Sequence, residues 1–317
     1  MNQDINKNLA DDEIDIVELF RTMWAGKWLI TGITTIFALG AVVYALSLPN
    51  IYKSEVLLAP VESDGGMKLS GQLGGLAALA GVNLGGGGGS KTELAIEVLN
   101  SREFLGQFIE RYDLYVPLMA VKGWNQASNT LLIDNDVYDS QNNKWIREVK
   151  APRKEKPSLL ETYEEFLKLV NVQHDTKANM VRVSVEYYSP ELAQQWVTQL
   201  VADLNQYMRE REAADATRSI AYLNSQVAQT NLADARSMLF SLIEEQTKTL
   251  MLANVRDEYV FSTIDPAVVP ELKDKPNRSL IVALAIVLGG MFGVFWVLIR
   301  HALVNSRKAS ESVLTEK

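Results

Sequence analysis

The sequence predicts an α+β membrane protein. Two transmembrane helices flank an extracytoplasmic domain made of a small membrane-proximal α/β base and a long helical protrusion. Three observations predict this. Residues 28–48 and 279–299 are each 21 residues long and uncharged, and about 20 apolar residues suffice to cross a bilayer. Short segments after the first span and before the second are rich in strand formers. Between them, residues 191–265 run for 75 residues without a glycine or proline.

The first span (WLITGITTIFALGAVVYALSL) is preceded by Asp4, Asp11, Asp12, Glu13, Asp15 and Glu18. A cleaved secretion signal has a basic leader and a shorter apolar stretch, so this segment reads as an uncleaved anchor. Arg21 and Lys27 flank the first span, and Arg300, Arg307 and Lys308 flank the second. Short basic flanks stay in the cytoplasm. Residues 1–27 and 300–317 are thus expected as cytoplasmic tails, and residues 49–278 as the working domain outside. Ile16, Leu19, Phe20, Met23 and Trp24 recur at helical spacing, with Asp12 as a candidate cap. That helix reads equally as an interfacial helix or as an extension of the span. Ala285, Gly289 and Gly293 lie four apart. They form a stripe of small residues that lets another membrane helix approach, either the first span or a neighbouring subunit.

Residues 51–59, 180–188 and 259–264 are expected as strands. In the second, Val181, Val183, Val185 and Tyr187 alternate with Arg182, Ser184 and Glu186, the pattern of a half-buried strand. Helices are expected over residues 92–112 and 158–170. The second of these opens on a capping box of Ser158 and Glu161. Long helices are expected at about 190–258, and the 75 residues 191–265 would span about 110 Å as one helix. A break between Thr230 and Asp234, with Thr230 or Asn231 as a cap, would give an outward and a returning helix. Either form implies lateral contacts, most simply between copies of the chain; an ordinary hairpin within one monomer is the plain alternative.

Several chemistries are disfavoured. The chain of 317 residues has no cysteine and two histidines, His174 and His301, far apart in sequence. Disulfides and thiolate sites are therefore excluded, and histidine-based sites have little support. A net charge of −8 argues against a nucleic-acid partner. The basic run KAPRKEK at 150–156 reads as a solvated loop. Asp134, Asp136 and Asp139 resemble the start of a calcium loop, but the required glycine and terminal glutamate are absent. No cofactor or metal is expected, and no pair of catalytic carboxylates stands out.

GGGGGSKT at 85–92 resembles a phosphate-binding loop but lacks its second glycine. It follows GQLGGLAALAGVNL rather than a strand, and it falls on the side without nucleotide. The expectation is instead a contact loop in which Leu73, Leu76, Leu79 and Leu84, with Leu69 and Val82, face other subunits, a polymerase, glycan or the membrane. Pro266, Pro270 and Pro276, followed by Arg278, make a stiff lead-in to the second span. Its plain reading is a spacer; its functional reading is a coupling segment or a contact for a partner.

The ordered set resembles the polysaccharide co-polymerases, the Wzz family of chain-length determinants of Gram-negative bacteria. The residues that carry it are DEIDIVELFRTMWAGKWLI (12–30), SPELAQQWVTQLVADLNQYMR (189–209), QTKTLMLANVRDEYVFSTID (246–265) and DPAVVPELKDKPNRSLI (265–281). The resemblance implies a homo-oligomer of the bacterial inner membrane with a large periplasmic domain. It implies a non-enzymatic scaffold that sets the length of O-antigen with the membrane polymerase and lipid-linked polysaccharide. The pathway alternative is capsule, exopolysaccharide or enterobacterial-common-antigen-type assembly. A related class carries a cytoplasmic tyrosine kinase; the 18 residues after the second span fit the class without it. A periplasmic hydrolase with two anchors is the alternative from another class.

Overall fold

The computed structural model describes residues 16–61 and 87–315. The chain divides into two compact units, residues 1–49 with 276–317, and residues 50–275. The glycine-rich segment, with Leu73, Leu76, Leu79 and Leu84, lies outside the described residues.

The first unit is helical. It comprises α1 (Ile16–Ala25) and α2 (Lys27–Ser47), and a C-terminal helix (Arg278–Thr315) that is numbered α9 below. Hydrogen bonding runs through Gly26: its N–H donates to the Thr22 carbonyl, and its own carbonyl accepts from Ile30. The backbone thus takes the form of a helix extension broken at one residue. Helix α2 and the stretch Arg278–His301 are long and apolar enough to cross a membrane. Their outward side chains are bare, with Trp28 at 80% and Val43 at 70% exposure. Water does not tolerate an apolar surface of that extent, and lipid does. These two helices fit a two-span membrane protein. The C-terminal helix continues to Thr315, well past the expected end of the span at residue 299.

The second unit is built on a four-stranded antiparallel sheet. Strand β1 (Tyr52–Pro60) lies between β7 (Met180–Tyr187) and β8 (Phe261–Asp265), and β6 (Val170–Asp175) lies outside β7. The register Tyr52↔Tyr187 to Leu58↔Val181 aligns the two alternating patterns. Tyr52, Ser54, Val56 and Leu58 are therefore buried, as are Val181, Val183, Val185 and Tyr187. Strand period 2 predicts this directly. Ser184, expected on the polar face, is buried as well. Its hydroxyl reaches the Asn171 carbonyl on the neighbouring strand.

Helices complete this core. Where one helix was expected over 92–112 there are two, α3 (Gly87–Leu99) and α4 (Arg102–Arg111). The break is made by Ser101, whose hydroxyl accepts the Phe104 N–H at 3.2 Å and starts a new helix. Helix α5 (Tyr115–Met119) and two small hairpins follow, β2 (Val121–Asn125) with β3 (Thr130–Ile133) and β4 (Tyr138–Asp139) with β5 (Lys144–Trp145). Sequence periodicity does not show strands this short. Helix α6 (Leu159–Leu169) opens on the expected Ser158–Glu161 capping box. Its Phe166 ring stacks on Phe108 at 5.5 Å and meets Trp196 edge-on at 5.8 Å.

The long helical stretch is two helices, α7 (Pro190–Gln229) and α8 (Ala233–Val255), packed against each other. Ser189 caps α7 and Pro190 occupies its first turn. The first half of α7 lies on the core through Ala193, Trp196, Val197, Leu200, Leu204 and Met208. Beyond Met208 only Ala216 of α7 is buried, and on α8 only Ala253 is. At the bend neither expected residue caps α8. The N-cap is Leu232, without a side-chain bond. The Thr230 hydroxyl instead turns back to the Gln226 carbonyl, and Arg236 donates to the Thr230 carbonyl.

Candidate functional site

Three surfaces bear on function. The first is the hairpin and its root. Asn205 sits on the apolar face of α7 and is 5% exposed. Its side-chain oxygen accepts the N–H groups of Tyr259, Val260 and Phe261 at 3.1, 2.9 and 3.0 Å, and its amide donates to the Phe261 carbonyl at 2.9 Å. One side chain thus ties the end of the hairpin into β8. Next to it, Glu212 accepts the Tyr259 hydroxyl at 2.6 Å and Lys91 at 2.9 Å. Burial, together with the Glu212 carboxylate, holds the Tyr259 hydroxyl well above the ordinary range. Lys91 is the lysine of the glycine-rich motif. It is engaged in an ion pair, and Thr92 is buried, so neither is placed to hold a phosphate. Farther out the hairpin exposes large apolar side chains: Tyr222 (64%), Leu232 (74%), Met238 (69%), Phe240 (54%) and Met251 (64%).

The second surface is the proline segment, residues 266–277. It has no regular secondary structure, yet its backbone is held. Ser54 donates to the Val268 carbonyl at 2.8 Å, and Gln194 to the Ala267 carbonyl at 3.3 Å. Ile51 and Lys275 form an antiparallel bridge: the Ile51 N–H reaches the Lys275 carbonyl at 2.9 Å, and the Asp274 N–H returns to the Ile51 carbonyl at 2.8 Å. Lys275 also pairs with Glu186 at 2.6 Å. Pro266 and Pro270 fall inside this fastened stretch.

The third is the helix pair. An added Cβ at Gly289 would lie 2.8 Å from Phe37 and 3.1 Å from the Thr34 backbone, and at Gly293 it would lie 3.1 Å from the Ile30 backbone. At Gly26 it would meet Val297 at 2.6 Å. The contacts therefore run antiparallel along both helices, and close approach requires a missing side chain at each. Ala285 lies one turn before Gly289 on the same face and is half-buried. At one end the Arg278 guanidinium donates to the Ala45 carbonyl at 2.9 Å and the Leu48 carbonyl at 3.4 Å. It places a cation on the C-terminal carbonyls of α2, where the helix dipole favours one. Gly289, Gly293 and Arg278 each meet the α2 segment, at separate points along it; nothing in the sequence assigned Arg278 to α2.

Candidate metal and catalytic groups do not assemble. Among the described residues no three His, Asp or Glu side chains group to hold a metal. Asp134 and Asp139 serve as turn acceptors, Asp134 for the Asp136 N–H and Asp139 for those of Gln141 and Asn142. Burial pushes the Asp203 carboxyl above its usual range against the pull of Arg111 beside it at 2.9 Å, but among the described residues no second carboxylate is paired with it.

The chain length determinant protein model, Wzz, matches residues 12–112. That match takes in α1, α2, β1, α3 and α4. A second model, the G-rich domain on putative tyrosine kinase, matches residues 238–302. That stretch holds most of α8, the return through β8, the proline segment and the apolar part of α9. The matches therefore bracket both spans and the strands beside them. Two solved structures are similar to this chain. One is a full-length bacterial polysaccharide co-polymerase, at 16% identity and a TM-score of 0.39, over 92% of this chain and 99% of that one. The other is a fragment of WzzB, a polysaccharide co-polymerase from Salmonella Typhimurium, at 13% identity and a TM-score of 0.30, over 71% of this chain and 100% of that one.

Proposed function

We propose that this chain is a Wzz-type chain-length determinant, which sets the length of O-antigen as a non-enzymatic, homo-oligomeric scaffold of the bacterial inner membrane. Both tails are cytoplasmic, and residues 50–275 work in the periplasm beside the membrane polymerase and its lipid-linked polysaccharide. The observation that supports this most is the Wzz match over residues 12–112, which takes in the first of the two membrane-type helices. The hairpin adds to it: long helices with bare apolar side chains suit contacts between copies more than a catalytic cleft. The proline segment acts as a coupling piece, because a backbone bonded to β1 and α7 passes displacement on where a loose spacer absorbs it.

Deletion of the gene and a gel ladder of the surface polysaccharide test the reading. The expected result is an altered length distribution with unchanged sugar composition. Complete loss of polymer would favour a capsule or exopolysaccharide export scaffold, and glycan cleavage by the purified protein would overturn the non-enzymatic reading. Replacing Pro266, Pro270 and Pro276 together is expected to shift the ladder at unchanged protein level; an unshifted ladder rejects coupling.

A further inference from the structure

The proline segment presents apolar side chains that nothing among the described residues covers. Leu272 is 83% exposed, Val268 69% and Val269 46%. The backbone that carries them is fixed by Ser54, Gln194 and the Ile51–Lys275 bridge. These side chains are therefore held out on a fastened chain. Three large apolar side chains this close together and this exposed favour a cover.

Position along the chain indicates which cover. Leu272 precedes Arg278, the first residue of the second membrane-type helix, by six residues, at most about 20 Å of extended chain. The bridge partner Ile51 follows the last residue of α2, Ser47, just as closely. The apolar patch is thus tethered on both sides to helices that lie in lipid. The polar boundary layer of a bilayer adds only about 5–8 Å on each face. The composition suits that layer, because valine and leucine alternate with charge (Glu271, Lys273, Asp274, Lys275) as in segments lying at a membrane interface. Lys275 is occupied by Glu186 and Arg278 by α2 carbonyls. Lys273 has no ion pair among the described residues, which leaves it for a lipid phosphate.

We propose that Val268, Val269 and Leu272 insert into the headgroup boundary of the bilayer that α2 and α9 cross, making the proline segment an interfacial anchor. This does not depend on which polysaccharide, if any, the chain regulates. Because the chain contains no cysteine, Leu272→Cys supplies a single thiol for a polarity-sensitive fluorophore. The full-length protein is reconstituted in phosphatidylcholine–phosphatidylglycerol vesicles, with Glu244→Cys on α8 as the reference label. The expected result is a blue-shifted emission at 272, lost when the lipids carry a nitroxide near the headgroup and resistant to aqueous iodide. Iodide quenching equal to that at 244 would overturn the anchor. Protection from both quenchers would overturn it too, since it would mean that a second copy or another protein covers the patch. If Leu272→Cys loses the native unfolding transition, Val268→Cys takes the same measurement.

Discussion

Asn205 shows how much one residue carries. It supplies four hydrogen bonds to a buried turn of backbone, and an unsatisfied buried group costs roughly 1–3 kcal/mol. Asn205→Ala is expected to lower stability by about 3 kcal/mol or more, read as a lower urea midpoint in detergent from tryptophan fluorescence. Only its identity hinted at this role, a lone amide on an otherwise apolar helical stripe. Its partners come from a segment more than 50 residues away, which no local pattern encodes. The capping box at Ser158 was legible because both members lie within one turn. Burial pushes the Glu161 carboxyl up, but the bonds from Arg147 and the Ser158 N–H outweigh it and leave it below the usual range. An acid depressed in the fold contributes stability above its unfolded value and loses it as pH falls through the folded one. The stability gap between wild type and Glu161→Gln is therefore expected to be full at neutral pH and to narrow at acid pH. A gap independent of pH in thermal melts would show that the charge of Glu161 is immaterial.

At the scale of elements, the membrane pair is a case where spacing spoke clearly. Residues four apart share a helix face, so the stripe was visible as a pattern; which helix it meets was not, because that depends on antiparallel registry. Gly290 lies one residue off the stripe, and a Cβ there would be 3.9 Å from the Thr34 hydroxyl. The double variant Thr34→Cys with Gly290→Cys is thus expected to form a disulfide within one chain on mild oxidation. Adding Gly293→Leu should abolish it, since the leucine has no room against the Ile30 backbone. A cross-link that persists would mean that the helices tolerate separation at this point. The opposite lesson comes from α3 and α4. Residues 100–103 are all polar, which interrupts the apolar period for only one turn, and the hydroxyl bond of Ser101 to the Phe104 N–H marks the boundary. A serine inside a periodic stretch is easily read as a surface residue.

For the whole molecule, three of the four strands of the sheet were legible, as were the two apolar helices; β6 was not, and the break in the long helical stretch was one of two readings the sequence left open. The strand order was not legible, since β1 is joined to β7 and β8 by pairings across most of the chain. The hairpin leaves Met238, Phe240 and Met251 at 69%, 54% and 64% exposure. If copies associate through it, replacing all three by serine should give a smaller particle in detergent by light scattering while the unfolding transition stays in place. An unchanged mass would put the subunit contacts elsewhere.

Strand β1 is an inner strand of the sheet, and it is also the first part of the extramembrane unit to be synthesised. Its ion pair with β7, Glu55 to Arg182, spans 127 residues, and the bond from Ser54 to the proline segment spans 214. A chain still emerging at residue 170 therefore carries β1 with both edges open, and β8 can close the second edge only when the whole hairpin has been made. Contacts this distant in sequence form slowly, and an open strand edge invites pairing with other chains. Biogenesis thus has a built-in interval of vulnerability beside the first span. Chains that stop before the hairpin is complete should be the ones that aggregate or are degraded.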